Sequence, residues 1–386
     1  MKVLIVTPSY YPIVGGSEAL TRILSIKLNE MGIRTDVMTL NMNKKWNPIW
    51  KEETKRNGPI CVFRVPAFNP FPGLPNPLLT LFRMNVVPKP SFTGKLKDYD
   101  VIHFMGEADL GFPLLSYFTK KPKIMHCVGI YRNGGIYHYY MFRRPFLKNL
   151  FKRFFPNLAD IYGVLEADAK KLLSHLGVPT NKILVLPHGL DLNVFRPDEA
   201  KRMNNLILFV GRIDRIKGLH ILIQSLSCLE IPAQLTIIGP KCDAKYVNKI
   251  EQMSHAINEN GVHKVKLLGP MDQSDLVPWY QKAAVLVCPF LYETFSTVTL
   301  EALACGTPVV STGTHLLKNG SDGILVTPKN PRKLATAIKK LLENRKMREK
   351  LGREGRKLIE QHFSWESVVK KLAKVYKDML DDLTTR

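Results

Sequence analysis

No two of the six cysteines (Cys61, Cys127, Cys228, Cys242, Cys288 and Cys305) stand at the short spacing of a metal-ligand pair. That speaks against a zinc site, and so few thiols in 386 residues speak against a disulfide framework. Reduced core thiols are the expectation. No apolar run reaches the roughly 20 residues of a membrane-spanning helix. The apolar part of "MKVLIVTPSYYP" is shorter than a secretory leader's and reads as a first strand. The expected location is cytoplasmic, with peripheral attachment to the inner face of the cell membrane as the one elaboration. There is no tandem repeat and no acidic cluster of the kind that holds a metal. Acid is in short supply: 33 acidic residues face 56 basic ones, a formal charge of +23. Residues 1–190 carry 26 basic and 12 acidic residues, +14, and the remainder 30 and 21, +9. Such an excess suits an anionic partner, whether nucleic acid, acidic membrane or phosphorylated ligand, and equally a solvated surface. No nucleic-acid-binding module or basic–aromatic array is recognisable, so no nucleic acid is expected.

What the chain does contain is a recurrent buried-strand pattern. "KVLIVTP", "RTDVMTL", "YDVIHFM", "KIMHCV", "DIYGVL" and "KILVLP" are followed by "LILFVGR", "QLTIIGP", "VKLLG", "AVLVCPF", "TPVVST" and "DGILVTP". Short continuous apolar runs bounded by Gly, Pro or charge suit parallel strands covered on both faces. Helical stretches alternate with them, such as "SEALTRILSIKLNEMG", with Ser17 as N-cap and Gly32 as stop, and "DEAKRM". With 45% hydrophobic and 23% charged residues, the chain reads as globular α/β, with two doubly wound parallel-sheet domains. The expected division is 1–187 and 188–363, with "PHGLDLNVFRPDE" as hinge and an amphipathic helix over 364–386 packing back on the first domain. Val368, Leu372, Val375 and Met379 form its apolar stripe. Two such sheets facing one another would create an interdomain cleft at their carboxyl ends. Residues 66–90 break the rhythm with seven prolines and read as a long irregular excursion.

Three stretches carry candidate chemistry. "YPIVGGSEAL" puts Gly15 and Gly16 between the first strand and first helix, where backbone can approach a ligand. A structural turn explains the pair as well, and its spacing fits neither a dinucleotide fingerprint nor a P-loop. "LFVGRIDRIKGLHILI" runs a strand into Gly211, then Arg212, Lys217 and Gly218 before a helix. The two cations could neutralise a diphosphate there, or be ordinary surface charge. Asp214 and Arg215 read as solvent-facing. "ETFSTVTLEALACGTPVV" carries Glu293 and Glu301 eight positions apart. On one helix they would lie near one face, about two turns apart, suited to the two ends of an extended ligand. Solvated surface acids are the alternative.

Taken in order, "VGGSE", "PHGLD", "VGRIDRIKG" and the paired glutamates before "ALACGTPVV" resemble glycosyltransferase family 4. The likeness covers nearly the whole chain, including "SDGILVTPKNPRKLATAI" and the closing "HFSWE". It implies a GT-B fold of two Rossmann-like domains and a retaining, nucleotide-sugar-dependent transferase. Glu301 would then accept both ribose hydroxyls of the donor, since a carboxylate has room for two donors. Glu293 would hold hydroxyls of the donor sugar, and backbone N–H groups around Phe295, Ser296 and Thr297 would face the phosphates. Arg212 and Lys217 would stabilise the leaving diphosphate. Gly15, Gly16 and Gly211 would line the donor site, and His126 in "IMHCVG" would approach the donor sugar. The donor would be a UDP-, GDP- or ADP-linked sugar, with no cofactor and no metal. The leaving diphosphate would assist deprotonation of the acceptor hydroxyl on the same face, without a covalent intermediate.

The departures from the family pattern fall around the donor. Thr294 and Ser296 stand where Gly is usual, the loop after Thr312 is shortened, His188 replaces an Asn, and Leu165 a small hydroxyl residue. Which base and which sugar are used stays open, as does the oligomeric state. For the acceptor, residues 139–155 in "YYMFRRPFLKNLFKRFFPNLAD" offer five basic residues and an amphipathic pattern from about Pro145. That pattern fits either an anionic membrane interface or packing on the first domain. A carbohydrate, lipid or lipid-linked glycan is the expected acceptor class. An inactive GT-B scaffold, a basic nucleic-acid-binding protein, and another GT-B enzyme such as a sugar-nucleotide epimerase or inverting transferase are the competing readings.

Overall fold

The computed structural model describes residues 1–11, 16–41, 49, 51–68, 87–88, 93–106, 113–128, 148–291, 295–313 and 316–384. The chain divides into two compact units, Met1–His188 with Val368–Arg386, and Gly189–Ser367.

The first unit is built on an eight-stranded sheet. Its strands are β1 (Lys2–Thr7), β2 (Arg34–Leu40), β3 (Glu53–Asn57), β4 (Ile60–Val65), β5 (Val101–Gly106), β6 (Lys123–Cys127), β7 (Ile161–Val164) and β8 (Ile183–Val185). The order is β8-β7-β6-β5-β1-β2-β4-β3, parallel except for the β3–β4 hairpin. Helices α1 (Gly16–Glu30), α2 (Lys148–Phe154) and α3 (Ala167–His175) belong to this unit. Strand order reverses between β1 and β5, the position at which open α/β sheets bind ligands.

The second unit has six parallel strands: β9 (Leu206–Val210), β10 (Gln234–Ile238), β11 (Lys264–Leu267), β12 (Val285–Cys288), β13 (Val309–Ser311) and β14 (Ile324–Leu325). They run β11-β10-β9-β12-β13-β14, so the switch point lies between β9 and β12. Its helices are α4 (Leu219–Leu226), α5 (Ala244–Glu259), α6 (Gln273–Lys282), α7 (Thr297–Ala304), α8 (Pro331–Glu343) and α9 (Arg345–His362). Strand β9 shows why its sequence is apolar throughout. Ile207 and Phe209 enter one core with Leu222 and Ile250, while Leu206, Leu208 and Val210 enter another with Leu286 and Leu303. A last helix, α10 (Trp365–Thr384), begins in the second unit and runs through the first. It buries Val368, Leu372, Tyr376 and Met379, while Val375 is half-buried.

All twelve expected strands are present. Four local expectations change. The β3–β4 hairpin has no counterpart in the pattern, because β3, "ETKRN", is a mostly exposed edge strand without an apolar run. Helix α1 starts at Gly16, so Ser17 lies inside it, whereas Gly32 does end the turn that follows, at φ 79°. "DEAKRM" forms only a single 3-10 turn, Glu199–Lys201. No disulfide joins the six cysteines, but Cys228 and Cys242 are exposed and only Cys127, Cys288 and Cys305 are buried. Most of the proline-rich excursion and residues 139–147 lie outside the described residues. Within the basic stretch, Phe154 at the end of α2 packs against the core of the first unit, and Arg153 is exposed. Among the described residues, no helix is long and apolar enough to cross a membrane.

Candidate functional site

In the second unit, three loops meet at the carboxyl ends of β9, β10 and β12. Strand β9 leaves through Gly211, whose N–H donates to the Ile238 carbonyl at 2.9 Å. Gly239 lies against it at φ 151°, and a Cβ there would come within 1.9 Å of the Gly211 carbonyl oxygen. Only glycine lets these two strand ends pass so closely. The 3-10 turn Arg215–Lys217 follows, with Asp214 as its N-cap accepting the Lys217 N–H at 3.1 Å. The same carboxylate holds Arg212 at 3.0 Å. Asp214 is therefore not a solvent-facing acid: it fixes the turn and tethers the cation, while Arg212 itself stays largely exposed. Gly218 ends the turn at φ 68°, where a Cβ would meet the Pro289 carbonyl oxygen at 1.9 Å. The Leu291 N–H donates to Ile216 at 2.9 Å, and the Lys217 ammonium sits 4.8 Å from the Phe290 ring centre. Thr312 Oγ1 donates to the Phe290 carbonyl at 2.6 Å and secures this loop from β13. The structure thus brings Gly211, Arg212, Lys217 and the 289–291 loop together.

The segment after that loop enters α7. Ser296, buried, is its N-cap: Oγ accepts the Thr299 N–H at 3.3 Å and the Thr299 hydroxyl at 2.8 Å. A hydroxyl at this position closes the first helical turn, which a glycine there could not do through a side chain. Thr297 is exposed and Phe295 packs half-buried on the core. Glu301, in the second half of α7, is 5% exposed. One carboxylate oxygen accepts from Tyr280 Oη at 2.6 Å and the other from Gln273 Nε2 at 2.8 Å, both from α6. Burial raises its pKa above the ordinary carboxylate value, and the two hydrogen bonds oppose that rise. Tyr280 and Gln273 were not legible as partners, since only the packing of α6 on α7 joins them. Glu293 lies outside the described residues.

In the first unit Gly15 lies outside the described residues and Gly16 opens α1. Glu18, in the first turn, is buried and accepts a hydrogen bond from Ser9 Oγ, just beyond β1. His126 stands near the carboxyl end of β6, 3% exposed, its Nε2 donating to the Leu186 carbonyl at 3.0 Å. Its ring stacks on His103 from β5, with centroids 5.6 Å apart and planes 17° off parallel. His103 Nδ1 is 2.6 Å from Tyr376 Oη of α10. Neither His126 Nδ1 nor His103 Nε2 has a hydrogen-bond partner among the described residues. Burial pushes His126 down to about 4, partly offset by the Leu186 bond. His103 falls well below its ordinary value for the same reason, with His126 adding to it. His188, half-buried, is also pushed down to about 4 by burial and by His126. Leu165 is a buried core residue. His103 and Tyr376 were missed because each reads, alone, as part of an apolar stretch. Among the described residues, no group of three or more His, Cys, Asp or Glu side chains is placed to hold a metal.

Two family models match consecutive parts of the chain: Glycosyltransferase Family 4 over residues 14–194, and Glycosyl transferases group 1 over residues 193–358. Among curated relatives, D-inositol 3-phosphate glycosyltransferase of Paenarthrobacter aurescens is 31% identical over 255 residues, 60% of this chain. The chain spans only 60% of that relative's length. An uncharacterized glycosyltransferase of Methanocaldococcus jannaschii is 27% identical over 98% of both chains. Among solved structures, an Anabaena protein in complex with UDP superposes with a TM-score of 0.71 at 18% identity, over 98% of this chain and all of that one. This last likeness is one of fold. With two Rossmann-like parallel-sheet units and both family models matched in sequence order, the chain belongs to the family 4 glycosyltransferases of the GT-B fold.

Proposed function

We propose that this glycosyltransferase moves a hexosyl group from a nucleoside-diphosphate sugar to an acceptor hydroxyl with retention at the anomeric carbon. The observation that carries the donor assignment is Glu301. A carboxylate has about four lone-pair sites, and Tyr280 and Gln273 fill one on each oxygen. The remaining sites suit the vicinal diol of a ribose, and the acid is already desolvated and held in one orientation. Ser296 and the first N–H groups of α7 are the phosphate contacts in this reading, with Phe295 and Thr297 beside them. Arg212, tethered by Asp214, and Lys217 take up the charge of the departing diphosphate. A diphosphate oxygen accepts the proton of the attacking hydroxyl as the sugar–oxygen bond to the diphosphate breaks and the new glycosidic bond forms on the same face. Glu293 on the donor sugar, His126 near it, and Gly15 and Gly16 at the first strand end complete the assignment by family likeness.

UDP is the first nucleotide to test, because the Anabaena neighbour was solved with it. A thermal-shift panel of UDP, GDP, ADP and their sugar conjugates, run on wild type and Glu301→Ala, should give one stabilising diphosphate whose effect is lost in the variant. A folded protein stabilised by none of them would overturn the donor assignment. The anomeric configuration of the product, read by proton NMR, tests retention; inversion would refute it. Turnover is expected to survive rigorous chelation, and loss restored by magnesium or manganese would reject metal independence. The charge of +14 over residues 1–190 favours a lipid or lipid-linked acceptor at an anionic surface. Binding to anionic vesicles at low salt is the expected outcome, and indifference to them would remove that part.

A further inference from the structure

A second polar site lies in the second unit, away from the carboxyl ends of the strands: Asn204 just precedes β9 and Gly306 just precedes β13. A cavity of about 130 Å³ is lined by Arg202, Asn204, Gly306, Arg345, Arg348 and Glu349. It holds three guanidinium groups against one carboxylate. Arg348 is 3% exposed. Its Nη1 donates to the carbonyls of Leu341 and Leu342 at 2.6 and 2.7 Å, and its Nη2 to Asn204 Oδ1. Those partners are neutral, and no carboxylate lies within salt-bridge distance of Arg348 among the described residues. Its Nε has no hydrogen-bond partner among the described residues. A buried cation that is neither ion-paired nor fully hydrogen-bonded is costly, and an anion would relieve it. Arg345 is the exposed member, bonded to Glu349 Oε1 at 2.7 Å. Arg202 reaches the cavity wall while donating to the carbonyls of Ala283 at 2.7 Å and Cys305 at 3.2 Å. The cavity also opens on the first turn of the 18-residue helix α9, whose N-cap Asn344 accepts the Met347 N–H at 2.9 Å. The positive end of that helix adds to the field of the three arginines.

We infer that this cavity is a binding site for a small phosphate-class oxyanion, separate from the donor-phosphate loops at Arg212 and Lys217. Arg345 supplies the directional charged donor, and the buried Arg348 and Arg202 add positive charge from the lining. The volume admits several water molecules, and so a free phosphate or the head of a small phosphomonoester rather than a whole nucleotide. The carbonyls of Cys305 and Gly306, at the end of α7, meet Arg202 and α9. An anion here therefore bears on the C-terminal end of the helix that carries Glu301.

The test is calorimetric titration of the full chain with inorganic phosphate at low ionic strength, repeated with glycerol phosphate. Wild type should bind at least one of them, and the tighter of the two tells the free ion from the ester. Binding should persist in the double variant Arg212→Ala with Lys217→Ala, whose donor-loop cations are gone. Arg345→Glu, an exposed change expected to fold, should weaken binding by about tenfold or more. Glu349→Gln, which removes the competing carboxylate, should tighten it. Absence of binding to wild type, unchanged binding in Arg345→Glu, or loss in the Arg212 and Lys217 double variant would each overturn the assignment.

Discussion

Acid should unfold the first unit sooner than its carboxylates alone would dictate, and His126 sets the scale. In the folded state its imidazole titrates at about 4, against 6.5 for an exposed histidine. Between those two values the unfolded chain binds the proton that the folded chain refuses. Stability is therefore fully present above about pH 6.5 and falls as the pH drops toward 4. Each pK unit is worth about 1.4 kcal/mol, so His126 alone withdraws about 2 kcal/mol by pH 5 and about 3 kcal/mol by pH 4. Its neighbours His103 and His188 are shifted in the same direction and add to the slope. The isolating variant is His126→Gln. The amide nitrogen of Gln can still donate to the Leu186 carbonyl, which His126 does at 3.0 Å, but it does not titrate. Urea unfolding followed by circular dichroism at about pH 7 and about pH 5 gives the two pH-induced losses. Wild type should lose about 2 kcal/mol more than His126→Gln over that interval. Equal losses in the two proteins would show that His126 is not held neutral by burial, and the account of the histidine stack would fail with it.

Three further outcomes follow from the second unit. Tyr280→Phe removes the phenol that donates to Glu301 at 2.6 Å, leaving the carboxylate loosely oriented. Affinity for the stabilising nucleotide diphosphate, measured by calorimetry, should fall about tenfold or more, the worth of one charge-assisted hydrogen bond. Gly239→Ala forces a Cβ to within 1.9 Å of the Gly211 carbonyl oxygen at a φ of 151°. Strain and displacement together should cost about 2–4 kcal/mol, read as a lowered urea midpoint. Arg212→Ala combined with Lys217→Ala should lower kcat by about a hundredfold or more with a much smaller change in KM for acceptor, measured by diphosphate release.

The fold was largely legible because burial on both faces writes each parallel strand as an uninterrupted apolar word. Every residue of β9 and β12 is buried, and both were readable as strands without any partner being known. The β3 edge strand was not, since four of its five residues are exposed and its pairing is specified by the neighbour rather than by itself. In the candidate site the charged members and the turn residues were legible, but not what holds them. Arg212 and Lys217 announce themselves by position after a strand. The groups that give them meaning, Asp214 as tether and Phe290 beneath the ammonium, come from a cap and a second strand end. Asp214 was misread as solvated because an N-cap carboxylate and a free one look alike in sequence. The histidine stack joins residues 103, 126 and 376, and Arg348 reaches back to Asn204; neither pairing leaves a periodic trace.

The contrast between Glu301 and Arg212 bears on how the proposed donor site divides its labour. Glu301 is desolvated before any ligand arrives, and two neutral donors fix both of its oxygens. The cost of burying that carboxylate falls on folding, so a ribose that meets it gains hydrogen bonds without dehydrating an acid. Arg212 is mostly exposed and restrained by one carboxylate, so its guanidinium can follow charge as it moves from the glycosidic oxygen onto the diphosphate. A rigid acid for the part of the donor that does not change, and compliant cations for the part that does, makes recognition uniform and leaves charge stabilisation for the transition state. On that division, weakening the Glu301 anchor should raise the donor KM with little effect on kcat. Removing the cations should do the reverse.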